Sequence, residues 1–443
     1  MAKNSSLSIL ILAAGQSKRM RSSIPKVMHS LAGRPMLYHL IDTARSLKPE
    51  KLAVVIGKEM EKLPGIPCVT QHPARGTGHA VQVAAKELKN TNGPVLILYG
   101  DTPLVTPGTL HQLIDALKKN AVAILGFRPL DPGQYARLVT DKRGQLKQIV
   151  EFKDADNATK KIDLCNAGVM AVQGKHLWNL LNKLQTNNAA KEYYLTDLVK
   201  LANAQKLSCT AIEASEEEVI GINTRGDLAL AERFLQDQLR ARHLANGVTM
   251  QDPASVYFSW DTEINSDVTI EPHVYFGPGV SIGEGTTIKA FCHIEGAIIG
   301  RNTRIGPFAR LRPGTELEDA VHIGNFVEAK NTKMAKGAKA NHLTYLGDTV
   351  VGEGANIGAG TITCNYDGFN KSKTTIGKGA FIGSNTALVA PIKVGDNAII
   401  AAGSVITEDV ANEDLALSRT PQINKRGLAK RMRQKLSNKK SKK

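Results

Sequence analysis

Between Ile264 and Ile406 the chain places an apolar residue at every sixth position, and few folds accept that period. Large apolar side chains fall at Ile264, Ile270, Phe276, Ile282, Ile288 and Ile294. After one five-residue step they resume at Ile299, Ile305, Leu311, Leu317 and Ile323, and they return at Ile376, Ile382, Leu388, Val394, Ile400 and Ile406. Glycine follows at 277, 283, 300, 306, 324, 377, 383 and 395. A helix repeats its apolar face at three and four residues, and a half-buried strand at two. Period six suits short strands joined by tight glycine corners, each coil stacking on the last. That is the hexapeptide parallel β-helix, with aliphatic side chains inside the prism. An aromatic content of 5% fits a core of small aliphatics.

The first half of the chain has a different rhythm. Ser6–Leu12 reads as a buried parallel strand, and apolar runs recur at Leu52–Ile56, Val95–Leu98 and Ala121–Phe127. Between them, Met36–Leu47, Gly78–Lys89 and Pro107–Lys118 have helical periodicity. Alternating strand and helix predicts an α/β domain with a mostly parallel sheet, whose ligands sit beyond the carboxyl ends of the strands. The loop after the first strand, AAGQSKRMRSSIPK, brings Gly15 together with Lys18, Arg19, Arg21 and Lys26. Backbone amides and cations there suit a phosphate, although the spacing is neither a Walker A loop nor a dinucleotide fingerprint. RGTGHA (Arg75–Ala80) adds a flexible turn before a helix, and LILYGD (Leu96–Asp101) ends a strand on a carboxylate suited to Mg²⁺.

AAGQSKRM…PK, RGTGHA, YGD, VEFKDA (Val150–Ala155) and CNAG (Cys165–Gly168) resemble the nucleotidyltransferases that activate sugar 1-phosphates. Joined to the hexad prism, they resemble the bacterial bifunctional family of N-acetylglucosamine-1-phosphate uridylyltransferases and glucosamine-1-phosphate N-acetyltransferases. The likeness covers nearly the whole chain except the basic tail. It implies that Ala14 and Gly15 lie against the nucleotide, that Arg19 holds its outer phosphates, and that Lys26 lies near the reacting phosphates. It also implies that Gln71, Gly76 and Thr77 read uracil, that Tyr99 borders the nucleotide-sugar, and that Glu151, Asn166 and Asn223 hold sugar and nucleotide. Asp101 and Asn223 would bind Mg²⁺. Two positions near the expected sugar pocket depart from the family pattern: Ala136 stands where glycine is usual after Tyr135, and Ala167 where threonine precedes Gly168.

The prism rhythm is interrupted twice. One break follows Ile323 and contains VEAKNTKMAKGAKANHLTYLGD, with regular spacing returning at Val351 and Ile357. The other, TCNYDGFNKSKT, lies between Ile362 and Ile376. Loops inserted in a solenoid tend to carry function. These gather Lys330, Lys333, Lys336, His342, Tyr345, Asn365, Tyr366 and Lys371. Acetylating an amine needs a proton acceptor, a phosphate anchor and a dry slot for the thioester. His342 is the natural base, with Arg312, Lys330 and Lys371 as anchors. By resemblance, Arg312, Lys330, Tyr345, Asn356 and Lys371 bind glucosamine 1-phosphate. Ala359, Asn365, Tyr366, Ser384, Ala402 and Arg419 line the acetyl-CoA slot, and Glu328 orients the base. A left-handed coil and a homotrimer, with sites between subunits, also come from the resemblance. So do the co-substrates acetyl-CoA and UTP and a place upstream of peptidoglycan and lipopolysaccharide.

The expected division is a uridylyltransferase domain over 1–225, a linker helix over 226–248, an acetyltransferase β-helix over 249–424 and a disordered basic tail over 425–443. The net charge is +16, and ten basic residues fall between Lys425 and Lys443, so basicity is largely a property of the tail. Such a tail can touch nucleic acid or an acidic membrane, but a polynucleotide-binding scaffold explains none of the loop motifs, and nucleic acid is not an expected partner. Five scattered cysteines without a CxxC pair fit reduced thiols in a cytoplasm. Met1–Gly15 has the outline of a weak secretory leader, yet its apolar run from Leu7 to Ala14 is short and the basic cluster behind it reads better as chemistry. No stretch reaches the ~20 apolar residues of a membrane span. The remaining rival is a nucleotidyltransferase whose prism only oligomerises, which leaves His342, Lys371 and the NYDG loop without a purpose.

Overall fold

The computed structural model describes residues 6–15, 18–88 and 91–440. Contacts divide the chain into two units, Met1–Leu239 and Arg240–Lys443, with the division inside the helix Arg225–Ala245. Gln16 and Ser17, the side chain of Lys18, and Lys89 lie outside the described residues.

The first unit is built on a mixed sheet. Its main path runs through strands Cys209–Glu213, Val122–Phe127, Cys165–Gln173, Pro94–Tyr99, Ser8–Ala13, Lys51–Gly57 and Cys68–Gln71. All neighbours along it are parallel except Cys165–Gln173, which runs against both of its partners. Alternate residues of each strand feed opposite faces. Leu10, Val55, Ile97 and Ile124 enter one core with the helices Thr77–Val83, Gly174–Leu181 and Asp197–Ala204. Ile9, Ile11, Val54, Leu96 and Leu125 enter the other with Met36–Ser46 and Pro107–Ala116. Burial on both faces explains why these strands read as continuous apolar runs.

The second unit stacks short parallel strands into three sheets of ten, eight and eight strands. Along one sheet Ile270, Ile288, Ile305, Ile323, Ala340, Ile357, Ile382 and Ile400 pair in sequence, and all are buried. This pattern is consistent with the left-handed β-helix of hexapeptide repeats. Threonines inside the corners satisfy coil carbonyls: Thr286 Oγ1 donates to Gly300 O (2.9 Å) and Thr332 Oγ1 to Leu346 O (3.0 Å).

Two expectations need correction. The coil does not break after Ile323, because Ala329, Met334, Ala340 and Leu346 take the inward positions, all fully buried, and the strands keep their pairing. Alanine carries too little apolar signal to extend a pattern of isoleucines, so the repeat hides where the lumen is lined by small residues. The second interruption is a true insertion: Val351 pairs with Ile376 and Ile357 with Ile382, and the extra residues fold outward. The tail, expected to be disordered, forms a helix over Leu428–Lys440 whose described side chains are nearly all exposed, and residues 441–443 lie outside the described residues. Ala429, Leu436, Gln434 and its lysines and arginines are strong helix formers, and no glycine or proline interrupts them.

Candidate active sites

In the first unit a cleft of about 430 Å³ opens at the carboxyl ends of the parallel strands. It is lined by Ala14, Gly15, Lys26, Gln71, Gly76, Thr77, Tyr99 and Asp101, together with Glu192. A second hollow of about 260 Å³ continues past Gly15 and Lys26 toward Gly57. Each strand contributes the residue or two that follow it, which is where open α/β sheets hold ligands. The turn at Gly76 is forced: its φ is +101°, and a Cβ there would lie 2.7 Å from the Tyr193 carbonyl oxygen. The Gln71 side-chain amide donates to Gly76 O (3.0 Å), and Thr77 Oγ1 accepts from the Leu195 amide (3.0 Å), so the rim is tied down from two sides.

A polar knot closes the floor. Lys26 Nζ meets the Asp101 carboxylate and Asn223 Oδ1 (3.1 Å), and an Arg19 guanidinium nitrogen donates to the same Asn223 oxygen (2.9 Å). Asn223 is held there by the start of the next helix. Thr224 Oγ1 accepts from the Asp227 amide (3.1 Å), and the Asp227 carboxylate accepts from the amides of Asn223 (2.9 Å) and Thr224 (2.8 Å). That reciprocal cap fixes both helix and site. Two hard oxygens, from Asp101 and Asn223, already converge on one cationic group. That donor set fits Mg²⁺, which binds few protein ligands and keeps waters or phosphates for the rest. Among the described residues no group of three His, Cys, Asp or Glu gathers as a closed metal cage.

The antiparallel strand Cys165–Gln173 begins where its neighbours end, and so delivers Asn166 to the same side. The Asn166 amide donates to Ala136 O (2.8 Å), and its Oδ1 accepts from the Gly168 amide (3.1 Å). A Cβ on Gly168, whose φ is +81°, would lie 3.2 Å from the Tyr99 ring. Burial pushes the Tyr99 phenol well above its usual range, against the pull of its bond with Thr77, so it stays neutral. Burial likewise raises the Glu151 carboxyl, although Thr196 Oγ1 donates to it (3.1 Å). Ala136 and Ala167 are buried, in the cores on opposite faces of the sheet. Sequence patterns did not single out Glu192, Thr196 or Asp227. The first two sit in a motif-free stretch that reaches the cleft only through tertiary pairing, and Asp227 has the spacing of a capping partner three residues after Thr224.

In the second unit, the expected acetyl-CoA residues follow the register of the coils. Asn325 pairs with His342, Lys339 with Asn356, and Asn356 with Phe381. Carrying these registers forward sets His342, Ala359, Ser384 and Ala402 at equivalent corner positions. Backbone bonds join them: Asn385 N donates to Ala359 O (2.7 Å) and Gly403 N to Ser384 O (2.8 Å), while the Arg419 guanidinium donates to Ala402 O (2.6 Å). His342 is exposed at one end of this edge, and its Nδ1 lies 2.5 Å from Asn325 Oδ1. With the amide oxygen turned to the ring, Nδ1 is the donor of this bond and Nε2 is the nitrogen left to take a proton. Glu328, expected to orient this ring, instead pairs with Arg312 (2.8 Å). Its strand register, opposite Arg310 and Tyr345, puts it on a different sheet from His342.

That sheet carries the cations. Lys330 lies against Lys371, whose proximity, followed by that of Arg312, draws the Lys330 ammonium below its usual range. Lys371 arrives on the inserted loop, a small hairpin in which Tyr366 bridges to Lys371 and Ser372 N donates to Asn365 O (2.9 Å). Asp367 caps its turn, accepting from the amides of Phe369 (2.8 Å) and Asn370 (2.6 Å). Asn365 is buried, Tyr366 is exposed with its hydroxyl on Gly368 O (2.6 Å), and the Tyr345 hydroxyl lies over Gly347 beside Asn365. Asn356 is half-buried in its strand. Three cationic side chains in one place, Arg312 already paired with Glu328, suit the binding of a phosphate. Asn325 is the residue the sequence did not mark; only the register reveals it.

A cleft with a phosphate-type cation knot on an α/β sheet, and a hexad prism with a histidine edge and a cation cluster, define a bifunctional transferase. The MobA-like NTP transferase domain family matches residues 9–163, and the bacterial transferase hexapeptide family (six repeats) matches residues 261–296 and 373–408. The bifunctional protein GlmU of Paramagnetospirillum magneticum is 52% identical over 99% of each chain. Those of Zymomonas mobilis and Bradyrhizobium sp. are 48% identical, over 98% of this chain and 99% of theirs, and 50% identical over 98% of each. The chain belongs to the bifunctional GlmU family. All five cysteines are free, and among the described residues no helix is long and apolar enough to cross a membrane.

Proposed function

We propose that the second unit transfers acetyl from acetyl-CoA to the amine of glucosamine 1-phosphate, and that the first then couples N-acetylglucosamine 1-phosphate to UTP. UDP-N-acetylglucosamine, a cell-wall precursor, and pyrophosphate are the products. In acetyl transfer, His342 Nε2 takes the amine proton while Asn325 holds the ring. Arg312, Lys330 and Lys371 grip the sugar phosphate, with Tyr345 and Asn356 on the sugar. Ala359, Ser384 and Ala402 line the thioester's path, with Asn365, Tyr366 and Arg419, some of them serving a neighbouring subunit. In uridylyl transfer, the sugar phosphate oxygen attacks the α-phosphorus in line and pyrophosphate leaves. Positioning and charge neutralisation by Arg19 and Lys26 dominate, so no dedicated base is needed. Gln71, Gly76 and Thr77 face the base, while Tyr99, Glu151 and Asn166 face the sugar, with Ala136 behind. Asp101 and Asn223 would hold Mg²⁺, which supplies further neutralisation of phosphate charge.

The observation that carries the two-site reading is the convergence of Arg312, Lys330 and Lys371 beside an inserted loop, which a purely oligomerising prism does not require. The assembly is a homotrimer, supported by an apolar edge of the prism. There Phe291, Phe308 and Phe326 stack at 4.9 and 5.3 Å while about half exposed. The enzyme works in the cytoplasm, consistent with its free thiols. Offering acetyl-CoA with glucosamine 1-phosphate, and UTP with N-acetylglucosamine 1-phosphate, in separate assays tests the scheme. Free CoA in the first and pyrophosphate in the second are expected. Pyrophosphate alone would leave a nucleotidyltransferase on an inert prism.

A further inference from the structure

Asp348 occupies a corner between two coils, in the wall of a cavity of about 250 Å³ shared with Asn331, Lys333, Lys371 and Lys373. One carboxylate oxygen accepts from Asn331 Nδ2 (2.6 Å) and the other from Asn365 Nδ2. Its backbone amide donates to Lys330 O (3.1 Å), and its carbonyl accepts from the Thr374 amide (3.2 Å). Asp348 therefore touches both the strand that carries Lys330 and the inserted loop that carries Asn365 and Lys371. Its φ is +49°, but the residues at the same corner of the two preceding coils are Asn331, at +47°, and Gly314, at +83°. An amide meets the left-handed backbone's demand as well as a carboxylate does. Folding does not explain the charge.

The charges around it do. Lys330 and Lys371 face Asp348, Arg312 stands behind Lys330 with Glu328 bound to it, and Lys333 is paired with Glu316 (2.8 Å). Burial pushes the Asp348 carboxyl up, but the amides of Asn331 and Asn365 and the charges of Lys371 and Lys330 outweigh it and hold the group ionised. Lys371 and Arg312 both favour a neutral Lys330, and Asp348 opposes them.

We propose that Asp348 is a positioning residue for acetyl transfer. Its carboxylate pins the Asn365–Lys371 loop against Lys330, so that the two lysine side chains stay close enough to hold one phosphate. This rests on the reading that Lys330 and Lys371 bind glucosamine 1-phosphate. Asp348→Asn in the full-length protein keeps the backbone conformation and removes the charge. Without it Lys330 loses its proton at lower pH, so the defect grows as pH rises. The KM for glucosamine 1-phosphate is expected to rise about tenfold near pH 7 and further toward pH 9, with kcat changing less than about threefold. Uridylyl transfer stays at its wild-type rate. Lys330 should also react faster with an amine-directed label at fixed pH, read by mass spectrometry, which reports even if turnover is too weak to measure. An unchanged KM and label rate, or a pH-independent fall in kcat with a lowered melting temperature, would overturn the proposal. Lys330→Ala separates the layers. If it leaves the KM for glucosamine 1-phosphate unchanged, the phosphate-site reading fails; if it raises that KM while Asp348→Asn does not, only the role of Asp348 fails.

Discussion

The cleft of the first unit takes a residue or two from the end of each of several strands, whereas the edge of the prism takes the same position from one coil after another. In the cleft, Lys26, the strand end Tyr99–Asp101 and Asn223 come from three unrelated segments, each set by its own turn or cap. Along the prism, Asn325, His342, Ala359, Ser384 and Ala402 inherit their placement from a backbone that repeats. A site of the first kind is specified by its connections, and one distorted turn can dissolve it. In the second kind the scaffold is redundant, and function rests on which side chain stands at a repeated position. Substitutions should therefore act differently in the two units.

The sharpest separation comes from removing one central side chain in each. His342→Ala should lower kcat for acetyl transfer by about 10²–10⁴, the usual contribution of a general base, and leave uridylyl transfer intact. Asp101→Ala should do the reverse, with a loss of about 10²–10³ in uridylyl transfer, because Lys26 is left without its carboxylate and a phosphate-bound cation without a ligand. Separate assays of CoA and pyrophosphate release measure both. Equal loss of both activities in either variant would break the comparison, since it would mean that the units do not carry independent chemistry.

What could be read without coordinates divides along the same line. AAGQSKRM, RGTGHA and YGD are contiguous, so most of the cleft was legible. Glu192 and Thr196 were not, because they reach it through pairings such as Tyr193 N to Arg75 O (2.9 Å) that leave no local pattern. The isoleucine hexads announced the prism, yet the same rule misplaced a break after Ile323, where alanines continue the coil unseen. Resemblance to the family assigned Glu328 to orient His342. Register decides otherwise, sending one to Arg312 and leaving the other to Asn325. Proximity in sequence is a poor guide in a solenoid, where neighbours in space are a full coil apart.

Glycine substitutions test the claim about redundancy. Gly76→Ala puts a Cβ 2.7 Å from a carbonyl oxygen and a side chain at a φ of +101°. It should destabilise the first unit by about 1–3 kcal/mol and raise the KM for UTP, seen in thermal unfolding and kinetics. Gly354, on a coil corner with φ of +65° and nothing within 4 Å, should accept Asn at a cost below about 1 kcal/mol. Similar losses at the two positions would mean that the coil corners are as constrained as the cleft.

Each unit also holds a histidine shielded from water, His39 half-buried and His243 buried, and these differ in a way that acid can expose. Burial lowers both His39 and His243 to about 4. His39 Nε2 bonds to Leu31 O (2.8 Å), whereas among the described residues neither ring nitrogen of His243 has a hydrogen-bond partner, and the ring packs on Phe258 at 4.6 Å. The unfolded chain takes up a proton near 6.5 and the folded one resists until about 4. Stability contributed by the neutral ring is thus complete above the unfolded value and is lost as pH falls through that window. His243→Phe keeps the packing without the titration. It should remove about 2 kcal/mol of the stability loss between pH 7 and pH 4.5, followed by denaturant unfolding of the second unit. An unchanged pH slope would show that His243 finds a proton-accepting partner in solution.

The smallest effect is expected at the tail, where the prism's logic of repeated positions no longer applies. Beyond Arg419, which reaches back to Ala402 O, the described side chains are almost all exposed, those of the helix Leu428–Lys440 included. Its cluster of like charges gains nothing from folding and is tolerated because water and salt screen it. Truncation after Asn424 removes that charge while sparing Arg419. Both activities should stay within about twofold, as for surface changes worth less than about 0.5 kcal/mol. A selective loss of acetyl transfer that is largest at low salt and fades as salt rises would mean that the tail supplies charge to the acyl-transfer edge. The second site would then be assembled, like the first, from segments that no repeat positions.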